Sequence, residues 1–218
     1  LDHTERLVEP FDVETKNEGT AVTSEQRDSF RAPVASAVPG DISSAAYWLV
    51  AGSVVPGSSL LLKNVGVNPT RTGILDVLKA MGASVTLENE RVSGGEAAAD
   101  IRGEAAKLHG SSVGAEIMPR LIDEIPVIAV AALFAEGDTV ITGAGELRVK
   151  ETDRLQAITD EFNKLAPGSV EASEDGLVIH GGTKVQCANC FSYDAHRKAM
   201  SLALLGTAGA GAGIERPD

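Results

Sequence analysis

Lys150, Glu151, Asp153 and Arg154 follow Val149 in the stretch LRVKETDR, residues 147–154. An amphipathic pattern begins at Leu155 and recurs at Ile158 and Phe162, so these charges sit where a strand or loop becomes a helix. A helix N-terminus carries unpaired backbone N–H groups and a partial positive charge. Lys150 and Arg154 would add full charges to a place already suited to an anion such as phosphate. Glu151, held among those cations, can donate or accept a proton. The same spacing also describes a solvated charged turn in which Glu151, Asp153 and Arg154 pair off. Charge spacing alone leaves both readings open.

The elements that must position these residues repeat along the chain. Ser43 to Val55 is a small-residue, apolar segment, followed by the break Pro56-Gly57, the strand-like SLLLKNVG and a helical pattern at Ile74, Leu75, Leu78 and Met81. A shift of 80 residues, from Gly57 to Gly137, places Asp123 to Ala135 on the first segment, DTVITGAG on the strand and KETDRLQAITDEF on the second helix. Leu75 then falls on Leu155 and Leu78 on Ile158. Strand-like pairs follow each second helix, at Ser84 to Glu88 with Asp100 to Arg102, and at Ser169 to Ala172 with Gly176 to His180. A third copy starts at His196 with HRKAMSLALLG. Self-similarity at a fixed period marks a repeat architecture, here of helix, strand, helix, strand, strand.

The first helices of the units (AAYWLVAGSVV, IPVIAVAALFA and AMSLALLG) are apolar almost all round and rich in Ala and Gly. They are expected to be fully buried and closely packed, with sheets and amphipathic outer helices around them. If rotation relates the units, the three helix N-termini emerge on one face and bring Ser43 and Ser44, Asp123 and Glu124, and His196 and Arg197 together as a site. The fold class expected is α+β, an inside-out α/β arrangement with three buried parallel helices per domain. Ahead of the repeats, His3 to Phe11 reads as a short helix, and Val13 to Glu18 and Thr20 to Thr23 as two strands. Ala37-Val38-Pro39-Gly40-Asp41 is a connector in which Asp41 or Ser43 can cap the next helix. A domain boundary is expected there: residues 1–38 form the tail of another domain, and 39–218 a repeat-built one with units at about 39–119, 120–192 and 193–218.

Composition narrows the chemistry. The 218 residues are 43% hydrophobic, enough to bury one large core or two small ones. With 19 basic and 31 acidic side chains, a net charge of −12, general affinity for nucleic acid or anionic membranes is disfavoured, and any anion site must be a local cluster. The longest strongly apolar run, Ile125 to Ala135, falls short of the ~20 residues that span a bilayer, and the first residues are charged. A cytoplasmic protein without a targeting signal is expected. Cys187 and Cys190 form the sole C-x-x-C pair and no second pair or nearby His-rich spacing completes a tetrahedral metal site, which leaves redox or zinc use as the minor alternative.

Individual candidates have plain structural alternatives. Asp123 opens an apolar helix and can serve as its N-cap. Arg71 follows Asn68-Pro69-Thr70, a helix entry with Pro at the first position, and is structural or lines a substrate site. His196, on an otherwise apolar helix, can be a packed or capping residue.

Several long motifs resemble one family. NVGVNPTRTGILDVLKAMGA, LIDEIPVIAVAALFAEG, ELRVKETDRLQAI, VPGDISSAAYWLVA and DHTERL are similar to the 3-phosphoshikimate 1-carboxyvinyltransferases, or EPSP synthases, across nearly the whole chain and in the family's order. The resemblance implies transfer of the enolpyruvyl group of phosphoenolpyruvate to shikimate 3-phosphate in the shikimate pathway of aromatic amino-acid biosynthesis, in a cleft between two three-repeat domains. It implies that Asp123 contacts the ring hydroxyls of shikimate 3-phosphate and helps take the proton of the attacking one, and that Lys150 contacts the same substrate. Arg154 and Arg197, with His196 nearby, would hold phosphoenolpyruvate, Glu151 would protonate its methylene carbon, and no metal or organic cofactor would be required. By the same resemblance the chain is an internal piece, lacking the family's N-terminal half and C-terminal end, and is expected to be inactive or nearly so without the other domain. The family's Gly-Asp-His-Arg reads Asp194-Ala195-His196-Arg197 here, and Lys198 replaces a usual apolar residue. The related UDP-N-acetylglucosamine enolpyruvyl transferase shares the repeat but not VKETDR. A non-catalytic anion-binding repeat module is the alternative from another class.

Overall fold

The computed structural model describes residues 2–19, 21–24, 29, 37–149, 153–192, 195–209 and 211–215. The chain opens with α1 (His3–Val8), a short 3-10 turn and the hairpin β1 (Thr15–Glu18) and β2 (Ala21–Ser24). The first repeat contains α2 (Ile42–Val54), β3 (Ser59–Gly66), α3 (Gly73–Ala80), β4 (Ser84–Ser93) and β5 (Glu96–Glu104). Next come β6 (Ser112–Val113), 3-10 turns over Met118–Arg120 and Ile122–Glu124, α4 (Ile125–Leu133), β7 (Asp138–Ile141), α5 (Arg154–Leu165), β8 (Val170–Ala172) and β9 (Leu177–His180). The third repeat is represented by β10 (Ala188–Phe191), α6 (His196–Ala208) and β11 (Ala212–Glu215). Helices and sheets are intermixed, and the fold class is α+β.

The two complete repeats share one sheet topology. Their strands run in the orders β3-β5-β4 and β7-β9-β8, with the third strand antiparallel to both neighbours. The 80-residue register is physical, since Leu75, Leu78, Leu155 and Ile158 all face the interior. Sequence periodicity did not reveal a strand ahead of each central helix. Gly40 bridges Val65, β6 pairs with β7 and β10 with β11, all in parallel. Each central helix is thus the crossover that a parallel pair requires. These leading strands are two to four residues long or a single bridge, too short to carry a period-2 pattern.

The central helices α2, α4 and α6 all touch one another. Every residue of α4 is buried, and its alanines, Ala129, Ala131 and Ala132, leave room for neighbours to approach closely. Burial all round holds for α4 only. Trp48 on α2 is 60% exposed and Met200 on α6 is 40% exposed. Fewer elements cover α6 because its described repeat supplies two strands and no outer helix.

Helix boundaries follow local chemistry. Asp41 caps α2, its Oδ2 accepting from the Ser44 N–H at 3.0 Å. α3 ends at Gly82, whose φ of +85° suits glycine, and a Cβ there would lie 2.6 Å from the His109 ring. The entry to α3 differs from expectation: residues 68–72 form a turn and the helix starts at Gly73. The Asn68 side chain bonds the Thr70 N–H at 2.9 Å and delays the helix. Similarly, α5 begins at Arg154 because Asp153 is its cap, accepting from the Gln156 N–H at 3.0 Å. Among the described residues no helix is long and apolar enough to cross a membrane.

Replacing Asp41 with Ala should lower unfolding free energy by about 1 kcal/mol, the usual effect of removing an N-cap acceptor. Urea denaturation followed by circular dichroism checks this, and an unchanged midpoint would mean the cap is not stabilising α2.

Candidate functional site at the helix N-termini

The first turns of α2, α4 and α6 meet. Ser43, in the first turn of α2, donates through Oγ to Glu124 Oε1 at the start of α4. Ser43 Oγ also accepts from Arg71 Nη2 at 2.6 Å. Asp123, in the 3-10 turn ahead of α4, lies 3.0 Å from Arg197 Nη1 on α6 and 3.8 Å from Arg154 Nη1 on α5. Tyr47 of α2 donates from its hydroxyl to the Arg197 carbonyl at 3.1 Å. Each central helix end is therefore tied to another by a side chain.

Arg71 reaches this place because its turn is fixed from several sides. Asn68, 2% exposed, donates to Asp2 Oδ1 at 2.7 Å and to Glu96 Oε2 at 3.1 Å. Arg120 Nε donates to the Pro69 carbonyl at 2.7 Å, and Arg71 itself lies 3.5 Å from Asp41 Oδ1. Arg71, Arg154 and Arg197 are each about three-quarters buried, with side-chain exposures of 23%, 26% and 29%. Asp123 is more open, at 37%. Partly desolvated guanidiniums beside helix N-termini form an anion-directed surface, with Asp123 as the carboxylate facing it.

Burial pushes the Glu124 carboxyl above the usual carboxylate range, although its Ser43 bond and the Arg71 charge act the other way. Burial likewise pushes Tyr47 up to about 12. Asp153 takes no part in the meeting of helix ends. It caps α5 and pairs with Arg148 at 2.6 Å, and these bonds outweigh its burial and keep its pKa low.

Of the six residues expected at the site, Asp123, Arg154 and Arg197 come together. His196, the first residue of α6, is exposed. Lys150 and Glu151 lie outside the described residues, as does Asp194. Ala195 stands at the α6 N-cap position and gives no side-chain cap bond, as its methyl group dictates. Among the described residues no cluster of His, Cys, Asp and Glu could hold a metal ion. Cys187 is exposed, whereas Cys190 is buried with its Sγ 3.7 Å from the Glu161 carbonyl, and burial raises its thiol to about 11.

Sequence reasoning left the role of Arg71 open and missed the Ser43–Glu124 contact and Tyr47. A signal was present for Glu124: a second acid directly before an apolar helix needs a partner.

Three helix N-termini, three arginines and an aspartate thus share one face of a repeat-built α+β fold. The chain belongs to the EPSP synthase (3-phosphoshikimate 1-carboxyvinyltransferase) family, whose model matches residues 1–218. It is 53% identical over 204 residues to the 3-phosphoshikimate 1-carboxyvinyltransferase of Thermosynechococcus vestitus, covering 93% of this chain and 46% of that protein. The protein of the same name from Gloeobacter violaceus is 51% identical over 210 residues, with 96% and 48% covered. The solved EPSP synthase of Acinetobacter baumannii superposes with a TM-score of 0.90 at 40% identity, covering 97% of this chain and 49% of that one. The enolpyruvyl transferase NikO from Streptomyces tendae, 16% identical with a TM-score of 0.67 and coverages of 95% and 46%, shares the fold. The chain spans about half the length of the curated relatives it matches.

Lys198, in the first turn of α6, is 3% exposed, and Glu161, whose charge acts on it, is 0% exposed. Burial lowers its pKa to about 8, against the pull of Glu161 and Asp160 and with a push from Arg154. Below pH 8 the folded protein bears the cost of a buried ammonium. Between about 8 and the ordinary lysine value of 10.5 the unfolded chain binds more protons, so this cost is relieved as pH rises. Lys198→Met should therefore be stabilising at pH 7 by on the order of 1–3 kcal/mol, with the advantage over wild type shrinking by pH 10. Parallel urea titrations of the two proteins at both pH values would expose a constant difference, which would contradict the burial argument.

Proposed function

We propose that these residues form one wall of the active site of an enzyme that transfers the enolpyruvyl group from phosphoenolpyruvate to the 5-hydroxyl of shikimate 3-phosphate, releasing phosphate. The observation that carries this reading is Asp123 held between Arg197 and Arg154 where three helix ends meet, in a chain whose named relatives are 3-phosphoshikimate 1-carboxyvinyltransferases. Asp123 orients the attacking hydroxyl and helps accept its proton. Arg154 and Arg197, with His196 at the rim, hold the phosphoenolpyruvate carboxylate and phosphate. Glu151 gives its proton to the methylene carbon, the neighbouring carbon becomes electrophilic, the hydroxyl oxygen bonds to it, and phosphate leaves from the tetrahedral intermediate. Lys150 contacts shikimate 3-phosphate. A cytoplasmic location accords with these small, charged substrates.

The opposite wall is proposed to come from the part of the family's length that these residues do not include, with residues 1–38 belonging to that second domain and 39–218 to this one. Phosphate release from the two substrates tests this directly. The chain alone should give little or none, and adding the complementary half of a relative should restore it. A folded mixture without turnover would favour a non-catalytic anion-binding module.

Two substitutions separate the roles. Lys150→Ala should weaken shikimate 3-phosphate binding by about 1.5–3 kcal/mol, the range for hydrogen bonds to charged groups, and an unchanged calorimetric titration would remove Lys150 from that contact. Glu151→Gln in the complemented enzyme should leave binding intact and slow turnover by roughly 10²-fold or more. Full activity would exclude it as the proton donor.

A further inference from the structure

Glu124 is 3% exposed at the head of a helix whose nine residues are all apolar and buried. A carboxylate in such a place is unfavourable unless its charge and hydrogen bonds are answered. The answer runs to another helix: Arg71 donates to Ser43 at 2.6 Å, and Ser43 donates to Glu124. The guanidinium supplies the opposite charge and the hydroxyl transmits it across one bond.

Asp123 sits in the same 3-10 turn, Ile122–Glu124, whose preceding residue Leu121 gives no side-chain cap bond. A backbone bond closes the turn, from Glu124 N–H to the Leu121 carbonyl at 2.8 Å. The two adjacent carboxylates face different partners. Glu124 is bonded into α2, and Asp123 meets Arg197 at 3.0 Å and Arg154 at 3.8 Å. Fixing the first fixes the direction of the second.

We infer that Glu124 is a positioning residue: through the Arg71–Ser43–Glu124 chain, the first helix and its neighbouring turn set where Asp123 stands between Arg154 and Arg197. As a statement about geometry this is independent of the chemistry, and as a statement about substrate binding it rests on the function proposed above. An apolar side chain of similar volume would fill the space and fold well but leave the turn without its tether. Stability and positioning therefore separate, which a purely structural role for Glu124 does not allow.

The test compares Glu124→Met, Glu124→Gln and wild type, with Asp123→Asn as the reference for a broken pair. The ligand-free readout is the Arg197 Nε–Hε signal in nitrogen–proton NMR, which a held carboxylate displaces. Glu124→Met should melt near wild type yet move the Arg197 signal toward its position in Asp123→Asn. Glu124→Gln, which still bonds Ser43, should keep the wild-type signal. In titrations with shikimate 3-phosphate, the Met variant should bind about tenfold more weakly and the Gln variant within about twofold of wild type. An Arg197 signal unmoved in Glu124→Met, or moved equally in Glu124→Gln, overturns the positioning role. If wild type mixed with the complementary half of a relative does not bind shikimate 3-phosphate, the functional reading falls while the arginine signal still decides this one. Should Glu124→Met fail to fold, Ser43→Ala, which removes a single hydroxyl from the same chain, takes its place in the comparison.

Discussion

Three parallel helices that pack side by side bring three partial positive charges to one point, and the rest of this structure depends on how that charge is answered. The close approach comes from small residues, since α4 is buried on every side and offers alanine to its neighbours. Dipoles brought together repel unless anions are near. Asp41, Asp123 and Glu124 lie at those helix starts: Asp41 pairs with Arg71, Asp123 pairs with Arg154 and Arg197, and Glu124 accepts from Ser43, which together hold the ends in register. Asp41 and Asp123 each answer a helix end and also aim an arginine. Three arginines and three carboxylates are thus gathered on one face of a chain whose net charge is −12, so positive charge is concentrated there relative to the rest of the surface.

Much of this was legible in the sequence, and the reasons are specific. The 80-residue repeat showed because buried positions of the outer helices recur, with Leu75 over Leu155 and Leu78 over Ile158. The strand SLLLKNVG was delimited by Gly57 and Gly66 and appears over those residues as β3. Asp123, Arg154 and Arg197 were expected together and meet. Less visible were features set by pairing at a distance. The short leading strands have no pattern of their own and exist because β3, β7 and β11 offer them an edge. The turn at Asn68 looked like a helix entry because Asn-Pro commonly is one, yet the Asn68 side chain takes partners from Asp2 and Glu96, distant in sequence. Exposure of Trp48 and Met200 was equally out of reach, since it depends on what covers the helices and not on their own apolarity.

Lys198 illustrates how a charge inside the core can be absorbed. A buried ammonium beside the first turn of α6 would be costly alone, but Glu161 and Asp160 on α5 face it electrostatically. Glu161 in turn is bonded by Lys164 and by the Phe191 N–H. The charge is spread over two helices and a strand, and the interface between α5 and α6 becomes partly electrostatic where Leu155, Ile158 and Phe162 make the rest of α5 an apolar contact.

The parallel strands on either side of each central helix have a further consequence. Gly40 pairs with Val65, Ser112 with Val140 and Ala188 with Ala212, so each pairing closes over a loop of about two dozen residues. The unit that assembles by local contacts is therefore strand, helix, strand, offset from the helix-first repeat visible in the sequence. Such short loops lose little chain entropy on closing. They provide three separate places where folding can begin, each already carrying the helix end that the finished site will use.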